Sequence, residues 1–347
     1  MKIGIVINPI AGVGADLAWK GSDIIEQAWN AVENGANQPV WNIINRAFSS
    51  VKQTEKYQWI TTDSDSYNFP ITYDKTKRST PETTKEATRY MVNKAVDLIV
   101  FFGGDGTARD IAAESKNIPV IGIPAGVKIF SSCFLHRPEE FGNFLDSWIR
   151  ETTQTDLLDL DEELYKKGIA QSKLFGEITI PVTSLLQSGK FNIVDTNNSF
   201  ELIAERIKDE NMLDNKTIIV GPGSSMKSIF NHLSLDISLL GVDIIKDGKI
   251  LHLDCDRKML YNQPIDEIWI SPIGKQGHVF GRGNRQIPSD LINKLPKLSI
   301  KLFASYDKIQ ETPTLYVDTG DPNLDEKLKG IYSVIVGYHE EVMRRLI

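Results

Sequence analysis

The amino-acid sequence predicts an α/β protein in which an N-terminal parallel-sheet domain precedes a β-rich second domain. Three observations point there. Over residues 1–151 short apolar runs alternate with helical patterns, the sequence form of βα units. From Thr152 onward strand patterns dominate. The chain has 347 residues, enough for two domains that each bury a core without disulfide support.

Residues 3–8 read as a buried strand, followed by the loop Pro9-Ile-Ala-Gly-Val-Gly14 and helical stretches over 22–34 and 40–53. A second strand is expected at 57–61. The polar stretch 63–77 is a long surface loop or an inserted flap. Thr80-Pro81-Glu82 has the form of an N-cap with proline at the first helical position, opening a helix to about Lys94. Then come a strand at 98–102, a helix from Thr107 to about Lys116, a strand at 119–123 and a proline-started helix over 138–150. These four βα passes make the first domain Rossmann-like. In the second half, strands are expected at 175–182, 217–220, 241–253 and 267–271, with Asp247-Gly248 turning a hairpin. The expected boundaries are 1–151 for an α/β nucleotide-binding domain, 152–313 for the β-rich domain, and 314–347 for a C-terminal segment returning to the first domain.

Composition narrows the function. Hydrophobic residues make up 41% and charged residues 24%, ordinary for a globular chain. A net charge of -7 with no Lys/Arg run argues against nucleic acid as a partner. Cys133 and Cys255 lie far apart, lack metal-ligand spacing, and suit burial as small hydrophobes in a reducing cytoplasm. The N-terminal apolar run is too short for a signal peptide, and no stretch approaches the roughly 20 residues that span a bilayer. The expectation is a cytoplasmic homo-oligomer acting on small molecules, away from membranes.

In a parallel sheet, ligands sit outside the carboxyl ends of the strands, where helix N-termini favour anions. Three loops of the first half belong to that edge: Asn8-Pro9-Ile10-Ala11-Gly12-Val13-Gly14, Gly103-Gly104-Asp105-Gly106-Thr107, and Pro124-Ala125-Gly126-Val127-Lys128. Small residues there let a phosphate chain approach the backbone. The middle loop is neither a Walker A sequence nor a G-x-G-x-x-G fingerprint. It sets a carboxylate between glycines at the mouth of a helix, whose dipole would hold Asp105 ionised. Such an Asp can take the proton of an attacking hydroxyl or help hold magnesium. Thr107 would cap the helix beginning near Ala108. On spacing alone the same glycines also make a plain βα turn.

In the second half, Gly221-Pro222-Gly223-Ser224-Ser225-Met226-Lys227 follows a strand and enters a helix, which suits phosphate or ribose binding or an ordinary serine-capped turn. The segment 277–286, with Arg282 and Arg285, offers guanidiniums to a phosphate or forms a solvated loop. Asp318-Thr319-Gly320-Asp321 reads as a turn. None of the five histidines has metal spacing, and neither a serine nucleophile elbow nor His-Glu-x-x-His is present.

Gly103-Gly104-Asp105-Gly106-Thr107 after an apolar strand resembles the signature of the NAD kinase and diacylglycerol kinase superfamily. Asn8-Pro-Ile-Ala-Gly12, the extension of the signature to Asp110, Gly122-Ile-Pro-Ala-Gly-Val-Lys128, Gly221-Pro-Gly-Ser-Ser225, Phe280-Gly-Arg-Gly-Asn284 and Val317-Asp-Thr-Gly-Asp321 are similar to the archaeal ATP-NAD kinase branch related to AcoX proteins. The resemblance implies an NAD kinase-like fold and transfer of the γ-phosphoryl of ATP, with Mg²⁺, to an acceptor hydroxyl, foremost the 2′-OH of NAD. It implies Asp105 as general base or acceptor-orienting carboxylate, with Gly103, Gly104, Gly106 and Thr107 on the phosphates. Asn8 and Gly126 join the nucleotide-binding set, as do Gly221, Gly223, Ser224 and Ser225. Lys128, Lys227 or Arg282 would supply positive charge. NAD kinases carry an Asn-Glu or Asn-Asp pair at the start of the second domain that recognises the dinucleotide. Here Leu174-Phe-Gly-Glu177 occupies that region without such a pair. A different small hydroxyl acceptor, or a nucleotide-binding regulatory protein without turnover, is the alternative.

Overall fold

The computed structural model describes residues 1–15, 25–62, 65–66, 78–126, 129–160, 172–187 and 198–347. It separates into two units, each with its own sheet. In the first, β1 (Lys2–Ile7) lies between β2 (Gln58–Ile60) and β4 (Leu98–Gly103). The short β3 (Asp65–Ser66) and β5 (Val120–Pro124) complete the order β3-β2-β1-β4-β5. All pairs are parallel except β2 with β3. The expected strands of this half are present. Apart from β3, the stretch 63–77 lies outside the described residues.

Strand alternation sorts β4 between two cores. Leu98, Val100 and Phe102 face Val40, Ile43, Ala47 and Phe48 of α2 (Val40–Ser49), which follows α1 (Ile25–Glu33). Ile99 and Phe101 face the side that holds Met91 of α3 (Pro81–Asn93) and Ile111 of α4 (Asp105–Ala112). Thr80 caps α3 as expected, its hydroxyl accepting from the Thr83 amide at 3.2 Å while Pro81 opens the helix. The helix expected over 138–150 is a 3-10 turn, Pro138–Glu140, and then α5 (Phe141–Ser147), which ends where Trp148 turns extended.

The boundary expected at residue 152 is not where the units part. β6 (Thr152–Leu160) and β7 (Ser172–Pro181) form an antiparallel hairpin whose Leu157, Ile178 and Ile180 join the same core as Phe101 and Ile111. The polar sequence of β6, Thr-Thr-Gln-Thr-Asp-Leu-Leu-Asp-Leu, conceals it, because the strand is exposed for most of its described length.

The second unit contains a nine-stranded mixed sheet. Its strands are β8 (Thr217–Val220), β9 (Asp243–Lys246), β10 (Lys249–His252), β11 (Glu267–Ile270), β12 (His278–Phe280), β13 (Ile300–Phe303), β14 (Thr314–Val317), β15 (Gly330–Ile335) and β16 (Glu341–Leu346). They run in the order β10-β9-β8-β11-β13-β15-β16-β14-β12. The expected hairpin turn is present, with Asp247 at φ 49° and Gly248 at φ 68°, both left-handed as a two-residue turn requires. Strands β8, β11, β13 and β15 are parallel, so their carboxyl ends share one edge. One face of the sheet is covered by α6 (Ser199–Asp209) and α7 (Ser224–His232). The other packs against Leu260 of α8 (Arg257–Tyr261), Ile292 of α9 (Ser289–Lys294), Ile309 of α10 (Tyr306–Gln310) and Leu324 of α11 (Pro322–Leu328). The segment 314–347 therefore does not return to the first sheet. It supplies β14, β15 and β16 to the second, where Val334 pairs with Leu302 and Leu315 with Leu346. No described helix is long and apolar enough to cross a membrane.

Candidate active site

In the first unit the carboxyl ends of β1, β4 and β5 converge on the start of α4. The helix begins at Asp105, two residues before the sequence-based expectation, and its N-cap is Gly104. Thr107 is thus inside the first turn and caps nothing. Its hydroxyl oxygen instead accepts from Asn8 Nδ2 at 3.0 Å, tying the loop after β1 to α4. Asn8 also closes its own turn, its Oδ1 accepting from the Ile10 amide at 3.2 Å.

Gly103 is glycine for packing: a Cβ there would stand 2.6 Å from Thr107 Oγ1 and 2.7 Å from Thr107 Cβ. Gly106 differs. A Cβ added there would meet only the end of Arg109, at 3.9 Å, so the space beside the first turn is open. The leading amides of a helix have no intrahelical partner, and a Cβ at Gly106 would stand beside them.

Asp105 is 4% exposed, and both carboxylate oxygens are engaged. Oδ2 accepts from the Phe130 amide at 2.6 Å and Oδ1 from the Ser131 amide at 3.0 Å. The loop after β5 is pinned a second time where the Ala125 and Gly126 amides donate to the Gly103 carbonyl at 2.9 and 3.1 Å. Gln187 Nε2 reaches the Ser131 carbonyl at 2.7 Å from behind. Asn8, Gly103, Gly104, Asp105, Gly106, Thr107 and Gly126 thus form one connected cluster. Lys128 lies outside the described residues. Burial and the neighbouring Asp105 carboxylate push the Cys133 thiol well above the usual range, which keeps it protonated inside the core.

In the second unit, Gly221-Pro222-Gly223 leaves β8 and enters α7 as expected. Gly221 packs closely, since a Cβ would fall 2.5 Å from Ile270 Cγ2. Gly223 has φ +123° and open space where a Cβ would stand. Ser224 is exposed, whereas Ser225 is buried and turned to Lys308, whose Nζ donates to Ser225 Oγ at 3.0 Å and to Ser271 Oγ at 2.9 Å. Lys227, which the resemblance offered as a source of positive charge, is engaged just beyond its own helix: its ammonium contacts Asp236 and donates to the Ile237 carbonyl at 2.5 Å. Lys308 escaped the sequence reading because β13 was not foreseen. Its four residues, Ile-Lys-Leu-Phe, are interrupted by Lys301, leaving no clear apolar run to mark the following Ser305-Tyr-Asp-Lys308 turn.

Arg282 is 3% exposed inside the second unit, so the loop is not solvated at this residue. Its loop is braced by Asn284, whose Nδ2 donates to the Val279 carbonyl at 2.9 Å, and by Arg285, whose Nε donates to the Gly281 carbonyl at 2.6 Å. The motif at 318–321 is structural in form, with Asp321 capping α11. A cavity of about 650 Å³ in this unit, lined by Leu202, Tyr306, Val336, His339 and Glu340 among others, contains none of the sequence-predicted residues. Among the described residues no group of three or more His, Cys, Asp or Glu side chains is placed to hold a metal.

Two solved chains from Bacillus anthracis str. Sterne, each described as a "putative diacylglycerol kinase", are similar to this chain at 15% and 14% identity, both with a TM-score of 0.26. Each likeness covers 46% of this chain, and 41% and 45% of theirs, so under half of either relative is spanned. No curated protein matches. The family model for the ATP-NAD kinase N-terminal domain matches residues 3–152, the stretch that carries the Asp105 cluster, and the model for the C-terminal domain matches residues 213–346, which carry the Gly221–Ser225 loop and Lys308. Matched in order by both halves of one family over most of its length, the chain belongs to the ATP-NAD kinase family.

Proposed function

We propose that the protein is an ATP-dependent kinase that transfers the γ-phosphoryl group to an acceptor hydroxyl, with the 2′-OH of NAD as the leading acceptor. The observation that carries this reading is the first turn of α4. An oriented carboxylate and an unobstructed stretch of helix N-terminus stand side by side at Asp105 and Gly106. Phosphate oxygens fit against the α4 amides beside Gly106, where a Cβ would intrude. A carboxylate has about four lone-pair positions, and the Phe130 and Ser131 amides take one on each oxygen of Asp105. In this reading the Asp105 carboxylate takes the acceptor's hydroxyl proton as the acceptor oxygen attacks the γ-phosphorus and ADP leaves. The two amides hold the carboxylate plane still, so the chain contributes positioning more than covalent chemistry. A magnesium ion bound with the nucleotide would supply charge neutralisation at its phosphates.

A different acceptor is the second reading, and one feature favours it. The region that would carry the dinucleotide-recognising pair is part of the β7 ladder, with Leu174 58% exposed and the Phe175 ring 5.1 Å from the Arg109 guanidinium.

The test is turnover of ATP and Mg²⁺ with NAD, NADH and simple alcohols, run beside Asp105→Asn. The variant is expected to lose on the order of 10²–10⁴ in rate. ATP consumption without NADP formation keeps the kinase and replaces the acceptor. Equal rates for variant and wild type sink the catalytic role of Asp105.

A further inference from the structure

We infer that Lys308 is the positioning residue of the Gly221–Ser225 loop, fixing the Ser225 and Ser271 hydroxyls for an anionic group of the nucleotide; this rests on the kinase reading above. The geometry is that of one ammonium serving three adjacent strands. Lys308 rises from α10 after β13 and donates to Ser271 at the end of β11 and to Ser225 in the first turn of α7, which follows β8. These strands are parallel, so all three contributions meet at the carboxyl edge of the second sheet, where α/β sheets take ligands.

Two consequences follow from donor and acceptor chemistry. A hydroxyl oxygen that accepts from an ammonium keeps its own proton for donation elsewhere. Ser225 and Ser271 are thereby set as donors, polarised by a shared positive charge, as an anion requires. The charge is also local to the loop. Lys227 lies closer in sequence, but Asp236 counters it. In a chain of net charge -7, a cation held against the loop's own hydroxyls favours the approach of an anionic group. The short helix is built to hold its lysine in place: Ser305 caps it, accepting from the Lys308 amide at 3.3 Å, and the Tyr306 amide donates to Ser199 Oγ at 3.1 Å.

The test uses the full chain and ATP as the probe. Lys308→Met, Lys308→Arg, Ser225→Ala and the Lys308→Met/Ser225→Ala double variant are compared by ATP titration, by separate KM and kcat, and by thermal unfolding. Lys308→Met is expected to raise the ATP KM about 10- to 100-fold, the range for losing charge-assisted hydrogen bonds, with a much smaller change in kcat. Lys308→Arg is expected to recover most of the affinity. The double variant should bind little worse than Lys308→Met alone, because the two groups act as one. If Lys308→Met does not fold, Ser225→Ala and Lys308→Arg still report on the same contact. A folded Lys308→Met with unchanged ATP affinity overturns the inference and leaves the kinase intact, as does strict additivity in the double variant. Wild-type protein that binds ATP through Lys308 yet phosphorylates nothing upholds the inference and overturns the kinase reading. Wild-type protein that does not bind ATP overturns both.

Discussion

Gly103 and Gly106 flank the same carboxylate and answer to different constraints. At Gly103 the neighbour is the branched Cβ of Thr107, which is anchored to its own backbone and cannot swing away. Gly103→Ala is therefore expected to cost about 1–3 kcal/mol of folding stability in urea unfolding, as overpacking does. At Gly106 the backbone is helical and the space is open, so Gly106→Ala is expected to leave stability unchanged or raise it by roughly 0.5–1 kcal/mol. If phosphate occupies that space, the same methyl group weakens ATP binding at least about tenfold, a repulsion with no structural counterpart in the free protein. Stability and affinity moving in opposite directions at Gly106, and together at Gly103, is the pattern to measure. Neither behaviour was legible in the five-residue motif, since glycine looks the same whether a side chain of the protein or a ligand excludes its Cβ.

The turn that joins β10 to α8 shows how an element can be sealed by charge and still contain a thiol. Asp243, fully buried, accepts from the Ser238 and Asp254 amides at 2.6 and 2.7 Å. The Cys255 amide donates to the Val242 carbonyl at 2.7 Å. Burial first, then the carboxylates of Asp243, Asp254 and Asp256, push the Cys255 thiol up to about 12 from its usual 9.0. Between those values the unfolded chain holds fewer protons than the native one, so stability falls as pH rises. The contribution is fully present below about pH 9 and lost toward pH 12. Urea midpoints are expected to decline more steeply with alkaline pH in the wild type than in Cys255→Ala, and native protein at neutral pH should resist alkylation at this thiol. Burial raises Tyr332 to about 12 as well, so the comparison with the alanine variant isolates the thiol. Elements such as β4 and α3 were readable because an apolar run or a Thr-Pro cap announces them. β6 was not, because it is exposed for most of its described length, and β13 was not, because its neighbours β11 and β15 supply the burial that its own composition does not advertise. The Asp105 cluster was legible as three glycine-rich loops. Lys308 was invisible because it depends on an unforeseen strand.

At the scale of the whole molecule, each unit closes its own cores, with Phe102 among those of the first and Phe303 among those of the second. Phe102→Ala and Phe303→Ala are each expected to cost about 3–5 kcal/mol. Followed by hydrogen exchange, each substitution should loosen the amides of its own sheet first, and uniform loosening of both sheets by either one would show a single cooperative unit. The order of the second sheet adds an asymmetry of another kind. β16 is the sole described link between the β13–β15 side and the β14–β12 side, antiparallel to one neighbour and parallel to the other. During synthesis the loop-bearing strands β8, β11 and β13 emerge long before Glu341, and until then β12 and β14 have no route into the sheet. The Gly221–Ser225 loop and Lys308 can thus be assembled while the opposite side of the sheet still waits, its edges exposed, for six residues at 341–346 to arrive.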